Sequence, residues 1–285
     1  MMNFNNLSKK FRYVNENGGE ISFDYLGGFL INKPDGIDTV SVDINEAYGI
    51  GQVGSTIQSV NIQSRPVTVN GIVVGDFQTE NKNRLLAVVR PDLEGKLYAD
   101  DLYLSVRPTA TPAIEPKKSF SAFQFSLLAA YPYWQKDGSA SAALVGVKKK
   151  FKFPWNISNE YSFGEIVMAQ FINVNNSGQV PIPFTVTFTA LSGVTNPKII
   201  DAATNKYLLL NKTLVAGERV VIEITHDRTY VNSSVDGECR GALDLHSSFY
   251  RLAVGDNVLK PEAESGKENL QVDINYSIET VGIAL

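Results

Sequence analysis

Apolar and polar residues alternate one by one along several stretches of this chain, and this alternation limits the fold more than any other feature. In the second half it runs through residues 180–188, 220–224 and 270–278. A period of two places alternate side chains on opposite faces of a β-strand, whereas an amphipathic helix needs a period near 3.6. Turn residues separate these stretches, as in a β-sandwich. We predict an all-β protein with one short helix, over residues 80–89, which ends before Pro91.

A glycine-rich stretch near residue 50 admits two opposed interpretations. Gly49-x-Gly51-x-x-Gly54 has the spacing of a dinucleotide-binding loop, and Asp76 follows where an acid would hold the ribose. The residues after Gly54, however, are β-branched or prefer turns, and no repeated βαβ units follow. We therefore favour a structural loop within an all-β domain and expect no nucleotide cofactor.

Two patterns on either side of this loop predict β-structure. Val40, Val42 and Ile44 alternate with polar residues, which is typical of a half-buried strand. Asn70-Gly71 lies between two short apolar runs, and this dipeptide favours the tight turn of a β-hairpin.

The composition excludes several classes of function. A chain of 285 residues with 44% hydrophobic and 20% charged residues suits about two globular domains. One cysteine, Cys239, and two histidines leave few transition-metal ligands and no intrachain disulfide. The net charge of -4 argues against a general or sequence-specific nucleic-acid binder. No segment resembles a signal peptide or a membrane span, so we expect no membrane insertion.

No catalytic motif stands out either. Asp244 and His246, with Ser247 or Ser248, have the residue types of a hydrolase triad, but adjacency in sequence is not triad geometry. A pair of acids that folding brings together, as in a glycosidase, leaves no spacing to find. We predict that the chain is not an enzyme and has no catalytic, cofactor-binding or metal-binding residues.

The chain divides near its middle. Tyr131–Trp134 closes the first half with an aromatic cluster, and a segment rich in Ser, Gly and Ala follows. We predict a first domain over residues 1–136, a linker over 137–146 and a second domain over 147–285.

Four features together resemble the distal tail proteins of siphophages and related prophages. They are the glycine loop with its Arg-Pro strand (49–69), the predicted helix followed by Asp92–Tyr98, the aromatic segment Tyr131–Trp134, and the pattern from Gly178 to Ile222. The resemblance covers most of the chain, from Phe11 to Ile224.

This resemblance implies an N-terminal, ring-forming β-sandwich or barrel-like domain and a C-terminal galectin-like β-sandwich. It implies a structural protein of the tail tip, whose hexameric ring joins the tail tube to the baseplate or to fibre and hub proteins. Such a protein is assembled in the cytoplasm of the host bacterium and ends in the virion. The alternative is a carbohydrate-binding or host-surface adhesion module, because galectin-like sandwiches commonly bind sugars.

Both functions have candidate residues. The polar run 55–64 has strand-forming residues without a long apolar alternation, which suits a segment that pairs with a neighbouring chain. Candidates for the ring interface are Ile57, Val60, Ile62 and Arg65. Aromatic residues that would face a sugar or partner are Trp155, Tyr161, Tyr207 and Tyr230.

Overall fold

The computed structural model describes residues 9–75, 78–143, 145–149, 164–168 and 171–283. The chain forms two compact units, one of Met1–Asp137 with Glu279–Leu285 and the other of Gly138–Ile278. Strands dominate both units, and the described residues contain one α-helix. The all-β prediction is confirmed.

A sheet of antiparallel strands builds the first unit. Its elements before residue 137 are β1 (Phe11–Asn15), β2 (Glu20–Ser22), β3 (Phe29–Ile31), β4 (Val42–Ala47), β5 (Thr56–Ile62), β6 (Arg65–Val73), α1 (Gln78–Val88), β7 (Gly95–Ala99), β8 (Leu102–Pro108), β9 (Ala113–Pro116), β10 (Ser121–Ala129) and β11 (Trp134–Lys136). The main sheet runs β2-β1-β7-β8-β10-β6-β3, while β9 pairs with β10, and β11 with β8. Side chains from both ends of this order share one core, so the sheet is barrel-like.

Strand β10 shows how the sequence builds this core. Its side chains alternate between buried and more exposed, with Phe123, Phe125 and Leu127 pointing inwards. The rings of Phe123 and Phe125 stack with their centroids 6.1 Å apart, and Phe29 meets Phe123 edge-on at 5.9 Å. Each fully buried side chain of this size contributes roughly 1.5–3 kcal/mol to folding.

Helix α1 confirms the predicted helix and begins two residues earlier than predicted. Leu85 and Val88 form its buried stripe, and Val89 beyond its end is also buried. The Asn15 side-chain amide donates to the carbonyl of Val88 at 3.1 Å, which satisfies one of the free carbonyls at the helix end.

The hairpin prediction at Asn70-Gly71 is wrong, because both residues lie inside the continuous strand β6. Asn70 pairs with Gln124, and Gly71 pairs with Phe123 on strand β10. A Cβ atom on Gly71 would lie 2.4 Å from the carbonyl oxygen of Leu30 and 2.7 Å from the ring of Phe123. The glycine therefore permits a close approach of neighbouring strands and forms no turn.

Two facing sheets build the second unit. Its strands are β12 (Ala140–Ala143), β13 (Val145–Lys149), β14 (Gly164–Met168), β15 (Ile172–Asn176), β16 (Phe184–Ala190), β17 (Val194–Thr195), β18 (Lys198–Asp201), β19 (Tyr207–Leu209), β20 (Thr213–Leu214), β21 (Arg219–Ile224), β22 (Thr229–Ser233), β23 (Gly237–Glu238), β24 (Gly255–Glu262) and β25 (Leu270–Tyr276), with 3-10 turns at Arg240–Ala242 and Lys267–Asn269. A six-stranded sheet, β12-β25-β16-β21-β22-β23, and a four-stranded sheet, β15-β24-β18-β19, bury their inner faces in one core. This is a β-sandwich, and the three alternating stretches of the sequence supply β16, β21 and β25.

A buried carboxylate ties two loops of the sandwich together. Glu218 accepts hydrogen bonds from the Ser233 hydroxyl at 2.6 Å and the Val215 amide at 3.0 Å, and it pairs with the Lys212 ammonium. Burial alone would raise the pKa of Glu218, but the hydrogen bonds from Lys212, Ser233 and Val215 lower it overall. The charged carboxylate therefore stabilises the folded unit.

The boundaries between the units differ from the predicted ones at two places. Ala140–Ala143, within the predicted linker, forms β12 and pairs with β25, because small residues pair through their backbone as well as large ones do. The last strand, β26 (Glu279–Thr280), returns to the first unit and pairs with β11. Ile283 then packs into the first core. A two-residue strand is too short for its alternation to be read from sequence.

Candidate assembly surface

Strands β4 and β5 form a separate antiparallel ribbon, outside the main sheet of the first unit. Val42 pairs with Ile62, and Ile44 pairs with Val60. Directly opposed residues of an antiparallel pair point to the same side, so these four aliphatic side chains share one face. They are 49%, 52%, 44% and 53% exposed, respectively. We call this surface the apolar face of the ribbon.

The other face of the ribbon is polar. Asp43 pairs with Asn61, and Asn45 pairs with Ser59. The Asn45 side-chain amide donates to the Ser59 hydroxyl at 2.9 Å, which links the two strands on this side. The ribbon is therefore amphipathic, although every residue from 42 to 46 and from 56 to 62 is exposed. The prediction of a half-buried strand through Val40, Val42 and Ile44 is correct in its period and wrong in its burial.

A β-bulge extends the apolar face. Asn45 pairs with Ser59, but the next residue, Glu46, pairs with Ile57, so Gln58 is an extra residue on β5. Ile57 thereby opposes Glu46, which follows Ile44 on the same side of β4. The apolar face thus continues to Ile57 and carries one carboxylate.

The loop between the two strands contains the glycine motif. Gly51 and Gly54 adopt positive φ angles of 74° and 84°. Gln52 accepts a hydrogen bond from the Gly49 amide at 3.0 Å through its side chain and closes the turn. Strand β5 follows directly, where a dinucleotide fold requires a helix. The glycines serve a turn, and Asp76 lies outside the described residues.

Three of the four residues predicted for the ring interface lie on the ribbon. Ile57, Val60 and Ile62 are all more than half exposed, at 59%, 53% and 52%. Sequence reasoning missed Val42, Ile44 and Glu46 of the partner strand. The alternation through Val42 and Ile44 was the available signal, but it does not distinguish a buried face from one left for a partner.

Arg65, the fourth predicted residue, does not belong to this surface because it is only 2% exposed. Its guanidinium donates to the carbonyls of Gly36 at 3.2 Å, Ile37 at 2.6 Å and Val281. Burial lowers the pKa of Arg65, and the nearby charge of Asp38 partly offsets this. Arg65 therefore holds the C-terminal segment inside the first unit.

Comparison with known proteins assigns this architecture. Residues 177–279 match the family described as siphovirus-type tail component, C-terminal domain. The crystal structure of the SPP1 Dit protein (gp 19.1), a hub adsorption apparatus of phages infecting Gram-positive bacteria, aligns over 94% of this chain and 98% of that one, with a TM-score of 0.67 and 13% identity. Residues 177–279 therefore match a siphovirus-type tail-component domain, and the chain as a whole has the fold of the SPP1 Dit protein. The resemblance seen in the sequence is confirmed.

A second solved structure shares the fold of this chain. A chain of the phage P2 baseplate, in its activated conformation with Ca, aligns over 97% of this chain and 100% of that one, with a TM-score of 0.50 and 9% identity. No curated protein sequence matches.

The aromatic residues proposed for sugar or partner binding do not converge in the described part of the chain. Tyr207 lies on β19 of the four-stranded sheet, with the Lys198 ammonium 4.1 Å from its ring centroid. Tyr230 lies on β22 of the six-stranded sheet, with the Arg228 guanidinium 5.8 Å from its ring. Trp155 and Tyr161 lie outside the described residues.

Asp244, His246 and Ser247, which have the residue types of a hydrolase triad, make local structural contacts. His246 Nδ1 lies 3.6 Å from Asp244 Oδ1 and is largely exposed, while the Ser247 hydroxyl accepts from the Leu209 amide at 3.0 Å. Within the residues that the structure describes, no cluster of three or more His, Cys, Asp and Glu side chains is placed to hold a metal ion. No helix there is long and apolar enough to cross a membrane.

Proposed function

We propose that this tail component assembles through its ribbon into a closed hexameric ring at the tail tip. The ring joins the tail tube above it to the baseplate or to fibre and hub proteins below. The role is structural and needs no catalytic residue. The uncovered apolar face of the ribbon, from Val42 to Ile62, carries this proposal.

The physical argument begins with the stability of the ribbon. A two-stranded ribbon is marginal in water without a third strand or a packed face. Val42, Ile44, Val60 and Ile62 retain about half of their surface in water, and none of them belongs to the core of the first unit. Covering the remaining surface of such side chains would contribute on the order of 1 kcal/mol each. A continuous apolar face on a soluble protein marks a site of interaction.

A ring is the assembly that suits such a face. Head-to-tail contacts between identical copies close into a ring when each copy offers two different surfaces at the right rotation. The ribbon is one such surface. The acidic net charge of -4 also suits a channel for DNA, because a basic lining would retain the phosphates. Assembly takes place in the host cytoplasm, and the product is part of the virion.

The test places an acid on either face of the ribbon. Size-exclusion chromatography with light scattering would measure the mass of the full chain, alone and with its tail partners. We expect Ile44→Asp and Val60→Asp, each made singly, to give folded monomers, because a carboxylate then replaces an aliphatic contact. The matched controls Asn45→Asp and Ser59→Asp place the same charge on the polar face and should keep the ring.

Two results would contradict the proposal. One is an unmodified chain that remains monomeric both alone and with its tail partners. The other is a ring that survives Ile44→Asp and Val60→Asp unchanged, which would show that the apolar face takes no part in assembly.

A further inference from the structure

A second surface of the first unit has the shape to receive a ribbon. It is a cleft of about 550 Å³ at the ends of β1, β7 and β8, beside the end of β10. Its lining includes Val14, Gly95, Lys96, Arg107, Leu128 and Tyr131. Val14 pairs with Lys96, and Lys96 with Ser105, so these side chains project together from the outer face of the sheet. Leu128 is 40% exposed and gives the cleft an apolar wall.

Gly95 lines the cleft and lets the buried Tyr13 side chain pack directly against its backbone. A Cβ atom on Gly95 would lie 2.5 Å from the Tyr13 hydroxyl and 2.8 Å from the carbonyl oxygen of Val14. The buried Tyr13 hydroxyl has no hydrogen-bond partner among the described residues. Burial, with the charge of Glu16, raises the pKa of Tyr13 to about 12, so the ring stays neutral.

The walls of the cleft contain one cation without an acidic partner. Arg107 pairs with Glu94 at 2.5 Å, which neutralises both. The Lys96 ammonium lies 4.3 Å from the centroid of the Tyr103 ring and forms no ion pair within the described part of the chain. Glu16 also lines the cleft. An incoming carboxylate could therefore pair with Lys96 without breaking an existing ion pair.

The ribbon has the complementary charge. Residues 41–63 contain Asp43 and Glu46 but no Lys, Arg or His. Asp43 lies on the polar face, whereas Glu46 continues the apolar face beside Ile44 and opposite Ile57. The hydroxyls of Ser55 and Tyr48 hydrogen-bond to Glu46 and lower its pKa, so it is ionised near neutral pH. The apolar face therefore presents aliphatic groups with one carboxylate among them.

We infer that the cleft receives the ribbon of a second copy of this chain, with Glu46 of one copy pairing with Lys96 of the next. The inference rests on the proposed ring. In that ring each copy must carry both members of a complementary pair, and the ribbon and the cleft are two such surfaces on one unit. Val14 and Leu128 would cover the apolar face, and the Glu46–Lys96 pair would fix its register.

Charge reversal and mixing test this pairing on the full chain. Glu46→Lys alone and Lys96→Glu alone each place like charges at the contact, and we expect the concentration for half-assembly to rise about tenfold or more. A mixture of the two variants should regain the ring, because every contact in an alternating ring again joins opposite charges. The double variant Glu46→Lys with Lys96→Glu should recover for the same reason.

The matched controls change charge elsewhere on the first unit. Asp43→Lys reverses a charge on the polar face of the ribbon, and Lys118→Glu reverses one in the exposed turn between β9 and β10. Both should assemble like the unmodified chain. Circular dichroism and thermal unfolding of every variant would confirm that it is folded, as expected for exposed positions.

The outcomes separate this inference from the proposed ring. If Ile44→Asp breaks the ring but Lys96→Glu does not, or if mixing and the double variant fail to restore it, the cleft is not the acceptor although the ring stands. That result would assign the ribbon to another surface or to another tail protein. An unmodified chain that never forms a ring, even with tail partners, would overturn both.

Discussion

Removing the last seven residues tests whether the first unit depends on the C-terminus of the chain. Termination after Ile278 deletes strand β26, the carbonyl of Val281 and the side chain of Ile283. The deletion leaves the buried guanidinium of Arg65 with two of its three carbonyl acceptors. It also removes the strand pairing of Trp134 with Thr280.

The expected loss of stability follows from these contacts. Full burial of an Ile side chain contributes roughly 1.5–3 kcal/mol. A buried donor that loses its acceptor costs about 1–3 kcal/mol, and more when it is charged. The deletion should therefore destabilise the first unit by roughly 3–6 kcal/mol, out of the 5–15 kcal/mol that is typical of a domain. The second unit should keep its stability.

Tryptophan fluorescence during urea unfolding measures this effect. Trp134 and Trp155 are the two tryptophans, so Trp155→Phe leaves Trp134 as a reporter of the first unit. With an m-value of about 2 kcal/mol per molar urea, the midpoint should fall by roughly 1.5–3 M. Ile283→Ala should cost about 2–4 kcal/mol. The control Val281→Ala keeps the carbonyl that Arg65 binds and should cost less than about 1 kcal/mol. An unchanged Trp134 transition in the truncated chain would refute the assignment of the C-terminus to the first unit.

Three further predictions concern other parts of the chain. Gly71→Ala should destabilise the first unit by about 2 kcal/mol or more, because its methyl group meets the Leu30 carbonyl, whereas Gly193→Ala enters open space and should change the urea midpoint little. Glu218→Gln should destabilise the second unit at pH 7 by about 1–3 kcal/mol. The pKa of Glu218 is lowered in the folded state, so its contribution is present above the ordinary value of 4.5 and lost as the pH falls through the folded pKa. Acid unfolding of the Gln variant should accordingly be less steep, and an equal slope would contradict this. Limited proteolysis should cut within residues 137–139, between β11 and β12. The two fragments should co-elute, because residues 279–283 remain packed in the first unit. Fragments that separate without denaturant would contradict this prediction.

The sequence predicted those parts of the fold that depend on local periodicity. Alternation identified β16, β21 and β25, and the stripe of Leu85 placed α1 to within two residues. It could not reveal that Glu279–Thr280 pairs with β11, because that pairing joins segments 144 residues apart through two backbone partners. The turn predicted at Gly71 is wrong because a glycine that permits close strand packing and one that forms a turn look alike in sequence.

The sequence predicted only part of the candidate assembly surface, because burial depends on tertiary contacts as strand pairing does. Strand propensity points to the residues of β5, and Ile57, Val60 and Ile62 are exposed on the ribbon. The prediction for the adjacent Arg65 is wrong, because a positive charge in a sequence does not show that three carbonyls will surround it. Whether an alternating strand faces a core or a partner depends on tertiary neighbours, which periodicity does not encode.

The mass of the native assembly tests the central claim most directly. Native mass spectrometry of the full chain, titrated over concentration and then with its tail partners, should show a species of six times the 31.3 kDa subunit mass. Val60→Asp should reduce that species to the monomer, and Ser59→Asp should leave it intact. A monomer at every concentration, with and without partners, would contradict assembly through the ribbon, as would a ring in which Val60→Asp changes nothing.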